Sequence, residues 1–226
     1  MQVFEGRICQ PPVGGNITII VARYNKTITQ RLLDGALAKL RQHKVHDNDV
    51  RVVWVPGAYE LPFTAAHFAK DEDCMAIICL GAVIKGETSH DEHINRYVSM
   101  TLCDLAVRHN VPIIFGVLTC DTLEQANARS GIIESGGVVE GRKDKAVNPA
   151  PGNKGAEAAE AALEMIDLMD EVPDYGYDLP SPQALLSHLF DNREDDDDDD
   201  EPMEYFPRRK VVRKKAVKKS AKKTGK

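Results

Sequence analysis

Cysteine is sparse and unpaired in this chain. Cys9, Cys74, Cys79, Cys103 and Cys120 form an odd set with no C-x-x-C pair. Four of them sit in or beside apolar runs, so they read as reduced core thiols and not as a disulfide framework. Long apolar runs are also lacking. None approaches the roughly 18 residues that a membrane span requires, and the N-terminus has no signal-peptide pattern. A soluble, cytoplasmic protein is therefore expected. No internal repeat is visible. The basic C-terminal run has no interleaved aromatics, which removes the stacking platforms typical of single-strand binders.

What is present is enough for a real core: 226 residues, 42% of them hydrophobic. The net charge of −6 is unevenly laid out. Residues 1–172 carry the whole excess of acid. Beyond them the charges balance but segregate, with six consecutive aspartates at 195–200 and eleven basic residues between Arg208 and Lys226. Blocks of like charge repel themselves and stay solvated, so a disordered extension over 173–226 is expected. Ser181-Pro182 offers one short helix start within it.

Apolar runs at 17–23, 50–55, 75–80 and 111–118 read as buried strands. Helical stripes run between them at 26–44, 59–70 and 89–109, and after them at 122–129 and 154–169. Alternation of this kind predicts β-α-β units and a four-stranded parallel sheet covered on both faces. Right-handed crossovers gather the strand C-termini at one edge. Residues 3–9 are a possible extra N-terminal strand. Residues 130–152, rich in glycine with two prolines, read as a long loop insertion.

One loop concentrates the chemistry. Gly81-Ala-Val-Ile-Lys-Gly-Glu-Thr-Ser-His90 follows a buried strand and leads into a helix. Small residues allow close backbone approach, and an imidazole ordinarily titrates near neutrality, which suits an anionic substrate and a proton transfer. His90-Asp91-Glu92-His93 invites a metal reading, but no third ligand is indicated, and acids favoured by the helix dipole explain Asp91 and Glu92. Lys85 lies in a polar loop beside Glu87, which suits a solvated or substrate-contacting amine better than a Schiff base. Lys154 opens the last helix, where a cation opposes the dipole unless an anion sits there. The basic tail either neutralises phosphates without sequence preference or pairs with the acidic run before it.

Six ordered segments carry a family resemblance: Ala22-Arg-Tyr-Asn25, Trp54-Val-Pro-Gly-Ala-Tyr-Glu-Leu-Pro62, Gly81 to His90, Pro112-Ile-Ile-Phe-Gly-Val-Leu-Thr119, Glu124-Gln-Ala-Asn-Ala-Arg129 and Gly152-Asn-Lys-Gly155. In that order they resemble the 6,7-dimethyl-8-ribityllumazine synthases, over about residues 1–171. The resemblance implies a flavodoxin-like α/β/α sandwich. It implies condensation of 5-amino-6-(D-ribitylamino)uracil with 3,4-dihydroxy-2-butanone 4-phosphate, the penultimate step of riboflavin biosynthesis, with no cofactor or metal. It also implies a homopentamer with sites between adjacent subunits.

The same resemblance assigns residues. Tyr24 stacks on the pyrimidine. Ala58 and Glu60 meet the ribityl chain. Ala82, Val83 and Ile84 contact the heterocycle. Glu87, Thr88 and Arg129 hold the phosphate. His90 is the catalytic proton shuttle, and Phe115 and Lys154 come from a neighbouring subunit. Three departures stand out: Asp91 where the family often has an aromatic residue, the long stretch between Arg129 and Gly152, and the charged extension. An alternative is a scaffold or pteridine- or flavin-binding protein of the same fold that presents charged tails, with weak non-specific nucleic-acid contact through the basic one.

Overall fold

The computed structural model describes residues 1–8, 11, 14–131 and 152–173. The expected insertion at 130–152, the helix start at Ser181 and the charged extension lie almost wholly outside the described residues.

Four parallel strands form one sheet in the order β2-β1-β3-β4: β1 (Asn16–Ala22), β2 (Val50–Val55), β3 (Cys74–Ile84) and β4 (Ile113–Cys120). The central strand β1 reads as a continuous apolar run because both of its faces are covered. Ile17, Ile19 and Val21 join one core cluster, whereas Ile20 and Ala22 join the other. The first cluster is closed by α1 (Lys26–Gln42), α4 (Leu123–Arg129) and α5 (Lys154–Glu171). The second is closed by α2 (Leu61–Phe68) and α3 (His90–His109). The result is the expected three-layer, flavodoxin-like sandwich. Burying each fully enclosed Leu or Ile contributes about 1.5–3 kcal/mol, and both layers contain several such residues, among them Leu32, Leu40, Leu61 and Leu102.

The helices on the first face cross in backbone contact. A Cβ on Gly155 would fall 1.9 Å from the Leu32 carbonyl oxygen, so only glycine lets α5 lie this close to α1. That contact fixes the start of α5, and with it Lys154.

The structure corrects three sequence readings. Strand β3 does not stop at Leu80; it continues to Ile84, because β4 pairs with it through Ile84↔Cys120. Gly81 marks close packing and not a strand end, since a Cβ there would sit 3.2 Å from Val117 Cγ1. Strand β4 begins at Ile113 and not at Val111. Pro112 has no N–H to donate; its carbonyl instead accepts from the Ile77 N–H at 2.9 Å. The possible N-terminal strand is absent from residues 1–8, which pair with neither sheet edge. They lie against α5, where the Arg7 N–H donates to Asp167 Oδ2 at 2.8 Å.

Candidate active site

Three strand exits meet at the C-terminal edge of the sheet. The Tyr24 N–H donates to the Pro56 carbonyl at 3.0 Å, which ties the exit of β1 to that of β2. Asn25 adopts the left-handed conformation (φ 57°), which asparagine tolerates better than most residues. Its Nδ2 donates to the Ala82 carbonyl at 2.9 Å, binding the β1 exit to β3. Tyr24 is left 72% exposed on this platform, an aromatic face with no core to serve.

After β2 the chain makes a single 3-10 turn, Ala58–Glu60, before α2. Glu60 Oε2 accepts from the Gly57 N–H at 2.8 Å, so one carboxylate oxygen shapes the turn. Among the described residues nothing else bonds the carboxylate. Tyr59 stacks on Tyr97 of α3 with ring centroids 4.4 Å apart. This stack links the turn that carries Ala58 and Glu60 to the helix whose first residue is His90.

Ala82 and Val83 are buried at the end of β3, Ile84 is half-buried, and Lys85 to His90 are exposed. The His90 N–H lies 3.4 Å from Thr88 Oγ1, its acceptor in the loop. Asp91 and Glu92 occupy the first turn of α3, where carboxylates complement the helix dipole. His90 and His93 are both exposed, and among the described residues no three His, Cys, Asp or Glu side chains gather to hold a metal. Tyr24, Ala58, Glu60, Ala82, Val83, Ile84, Glu87, Thr88 and His90 thus share one edge of the molecule.

Phe115, Arg129 and Lys154 gather along the edge strand β4, whose Leu118 and Thr119 pair with Ala82 and Val83 of β3. They line a shallow groove of about 400 Å³ beside β4, with Thr119, Glu157 and Ala158 among their neighbours. Phe115 is 43% exposed although it sits within a strand. The Arg129 guanidinium donates through Nη1 to the Gln125 carbonyl at 3.1 Å and has no carboxylate partner among the described residues. Lys154 pairs with Glu157 at 2.5 Å. An ion pair this exposed leaves the ammonium free to exchange partners. No hydrogen bond or ion pair joins this group to the strand-end group among the described residues.

Two buried thiols near the site, Cys79 and Cys120, are not poised as nucleophiles. Burial pushes the Cys79 thiol far above its ordinary range, so it stays protonated. Burial raises Cys120 as well, against an opposing pull from the nearby Arg129 charge. Sequence reasoning missed Asn25 and Asn153 as parts of the site's framework. Each lay inside a quoted motif, but only the fold reveals which carbonyls their amides reach.

A doubly covered parallel sheet with a polar loop after its third strand, an exposed aromatic at its first exit and a separate cationic groove defines a small-molecule enzyme of the flavodoxin-like class. Residues 14–170 match the model of the 6,7-dimethyl-8-ribityllumazine synthase family, and the chain belongs to that family. It is a transferase of riboflavin biosynthesis. It condenses 5-amino-6-(D-ribitylamino)uracil with 3,4-dihydroxy-2-butanone 4-phosphate to give 6,7-dimethyl-8-ribityllumazine, phosphate and water. Among the described residues no helix is long and apolar enough to cross a membrane.

Proposed function

We propose that the two groups of residues are halves of one active site, completed when the strand-end edge of one subunit meets the β4 groove of the next. The observation that carries this reading is the grouping itself. Phe115, Arg129 and Lys154 line a common groove, while Tyr24, Glu60 and His90 occupy the strand exits. Each half leaves an aromatic face open to water, Tyr24 in one and Phe115 in the other, and the groove adds a guanidinium without a carboxylate partner among the described residues at Arg129. A second copy would cover both. A ring of such heterologous contacts closes as a homopentamer, the assembly typical of the family.

In the completed site Tyr24 stacks on the pyrimidine from one side and the neighbour's Phe115 borders it. Ala58 contributes a small wall beside the ribityl chain, and the Glu60 oxygen not used by Gly57 accepts hydroxyl hydrogen bonds. Backbone groups of Ala82, Val83 and Ile84 face the heterocycle edge. Glu87 and Thr88 present N–H groups, and Thr88 a hydroxyl, to the phosphate. Arg129 adds its planar fork of donors and Lys154 a point charge. Arg129 shares its groove with Phe115 and Lys154, so all three reach the substrate from the same neighbouring subunit.

The chemistry then needs little more than orientation and proton movement. The pyrimidine amine attacks the butanone carbonyl and a first water leaves to give an imine. Loss of phosphate then leaves an enol that tautomerises to a second carbonyl, and the ribitylamino nitrogen attacks it to close the ring with loss of a second water. His90, at an exposed helix start, carries protons to and from these centres. Holding two substrates together supplies much of the rate. We assign catalysis to a domain over 1–172, since every described element lies between Asn16 and Glu171. Residues 173–226 are assigned as a charged extension.

His90→Ala tests the shuttle. Turnover should fall by about a hundredfold or less, because orientation survives, while the pyrimidine dissociation constant stays near its parent value. Unchanged turnover at saturating substrates, across pH, would remove His90 from the mechanism.

A further inference from the structure

Arg129 ends α4 and Lys154 opens α5, on either side of residues 130–153. Among the described residues a hydrogen-bond junction centred on Asn153 joins the two. Asn153 Oδ1 accepts from the N–H groups of Gly155 and Ala156, at 2.9 and 3.1 Å, and so caps α5. Its Nδ2 donates to two carbonyls, Arg31 at 2.8 Å and Ser130 at 3.0 Å. The Arg31 guanidinium closes the ring from α1. Nε donates to Ser130 Oγ at 3.0 Å and Nη2 to Asn127 Oδ1 at 2.7 Å. Ser130 Oγ in turn donates to the Asn127 carbonyl at 3.1 Å, and Ser130 is 1% exposed.

The backbone makes room for this amide. A Cβ on Gly35 would fall 2.3 Å from Asn153 Cγ, so α1 is notched where the side chain enters. Gly131, at φ +92°, turns the chain beside the same amide. A cap alone does not require asparagine, because Asp and Ser cap helices equally well. Only an amide offers both an acceptor for α5 and donors for the end of α4 and for α1. The length of chain between the two cations then matters little to their separation, because its ends are pinned at the base.

We propose that Asn153, supported by Arg31, is a positioning residue for the condensation: it holds Arg129 and Lys154 in one fixed relation, so that both cations meet the phosphorylated substrate together. The proposal rests on the assignment of Arg129 and Lys154 to that substrate. A guanidinium fork is directional, and a small misplacement of it loses the second hydrogen bond.

The test uses the full-length enzyme with Asn153→Ser, Asn153→Asp and, as reference, Arg129→Ala. Both Asn153 variants keep a side-chain oxygen for the α5 cap and lose the amide NH2 that serves the Arg31 and Ser130 carbonyls together; a serine hydroxyl has one proton on a shorter side chain. Melting temperature is measured beside kcat, the KM of each substrate, and inhibition by inorganic phosphate. Asn153→Ser should stay folded but melt somewhat below the parent, since two part-buried carbonyls lose their amide donor. Its KM for the butanone phosphate should rise about tenfold or more, since misplacement at a reacting geometry is costly. Inhibition by inorganic phosphate should weaken in step, and the pyrimidine KM should stay within about twofold, as expected when one subsite alone is disturbed. Parent-like KM and phosphate inhibition in both Asn153 variants, with Arg129→Ala impaired, would overturn the proposal. So would equal losses for both substrates, which mark general loosening. If Arg129→Ala is itself silent, the substrate assignment beneath fails and the proposal falls with it.

Discussion

Among the described residues the Arg129 guanidinium lines a groove with no carboxylate partner. Its only described hydrogen bond goes to the Gln125 carbonyl one turn earlier in its own helix, which orients the fork without neutralising it. A dianionic phosphate is the natural complement. Arg129→Ala should therefore raise the KM for the butanone phosphate with little change for the pyrimidine, in steady-state kinetics that vary each substrate in turn. Lys154 does not replace the lost contact, because a point charge cannot make two parallel bonds. Equal effects on both substrates would contradict the role. His90 differs in kind: it opens α3 exposed to solvent, and the role proposed for it is to move protons and not to bind charge.

Among the elements, the strands and helices were legible because each long run obeys a single period. The sequence stripe Ile28, Leu32, Leu33, Ala36, Leu37 and Leu40 is the core-facing side of α1, with Leu37 half-buried and the others buried. Boundaries were less legible where glycine or proline acts through a neighbour. Gly81 looked like a stop, yet it is a packing site against Val117, and the strand runs on because β4 is there to pair with it. Residues 3–9 read as a possible strand, but a strand must pair along a sheet edge, and the described part of this segment, 1–8, lies against α5 instead. The site residues were legible as motifs, and the family resemblance already set Phe115 and Lys154 apart from the rest; that Arg129 shares their groove was not legible, because it depends on how α4 and α5 pack beside β4. Gly155 shows the same dependence. Within the sequence it is one more glycine near a helix start, whereas in the fold it sets the α1–α5 approach. Gly155→Ala would force the Leu32 carbonyl away and should cost at least about 3 kcal/mol, above the usual range for overpacking because backbone cannot yield as a side chain can. Chemical denaturation of the purified variant measures this directly, and a parent-like midpoint would contradict the close crossing.

For the whole molecule, charge and assembly act together. Eleven basic residues crowd into 208–226, after an acidic run and attached to a core of net negative charge. Pentamerisation would multiply these tails, so weak contacts add up. Binding to RNA or DNA should be feeble at physiological salt and fall steeply as salt rises. Deleting 205–226 should abolish it while leaving turnover intact, and equal binding by the truncated protein would refute the assignment to the tail. The central claim concerns the site itself, that it is shared between subunits. Subunits carrying His90→Ala and subunits carrying Arg129→Ala are each impaired, but their defects lie in different halves. In a mixed ring some contacts join an intact strand-end half to an intact groove. Random assembly of equal amounts should make about a quarter of the sites complete. The decisive measurement is lumazine formation, followed by fluorescence, in co-expressed mixtures of the two variants against each variant alone. Recovery to about a quarter of parent activity is the predicted result. Activity no higher than the mean of the two separate variants, in rings shown to contain both, would place both residues in one subunit's site and contradict the account.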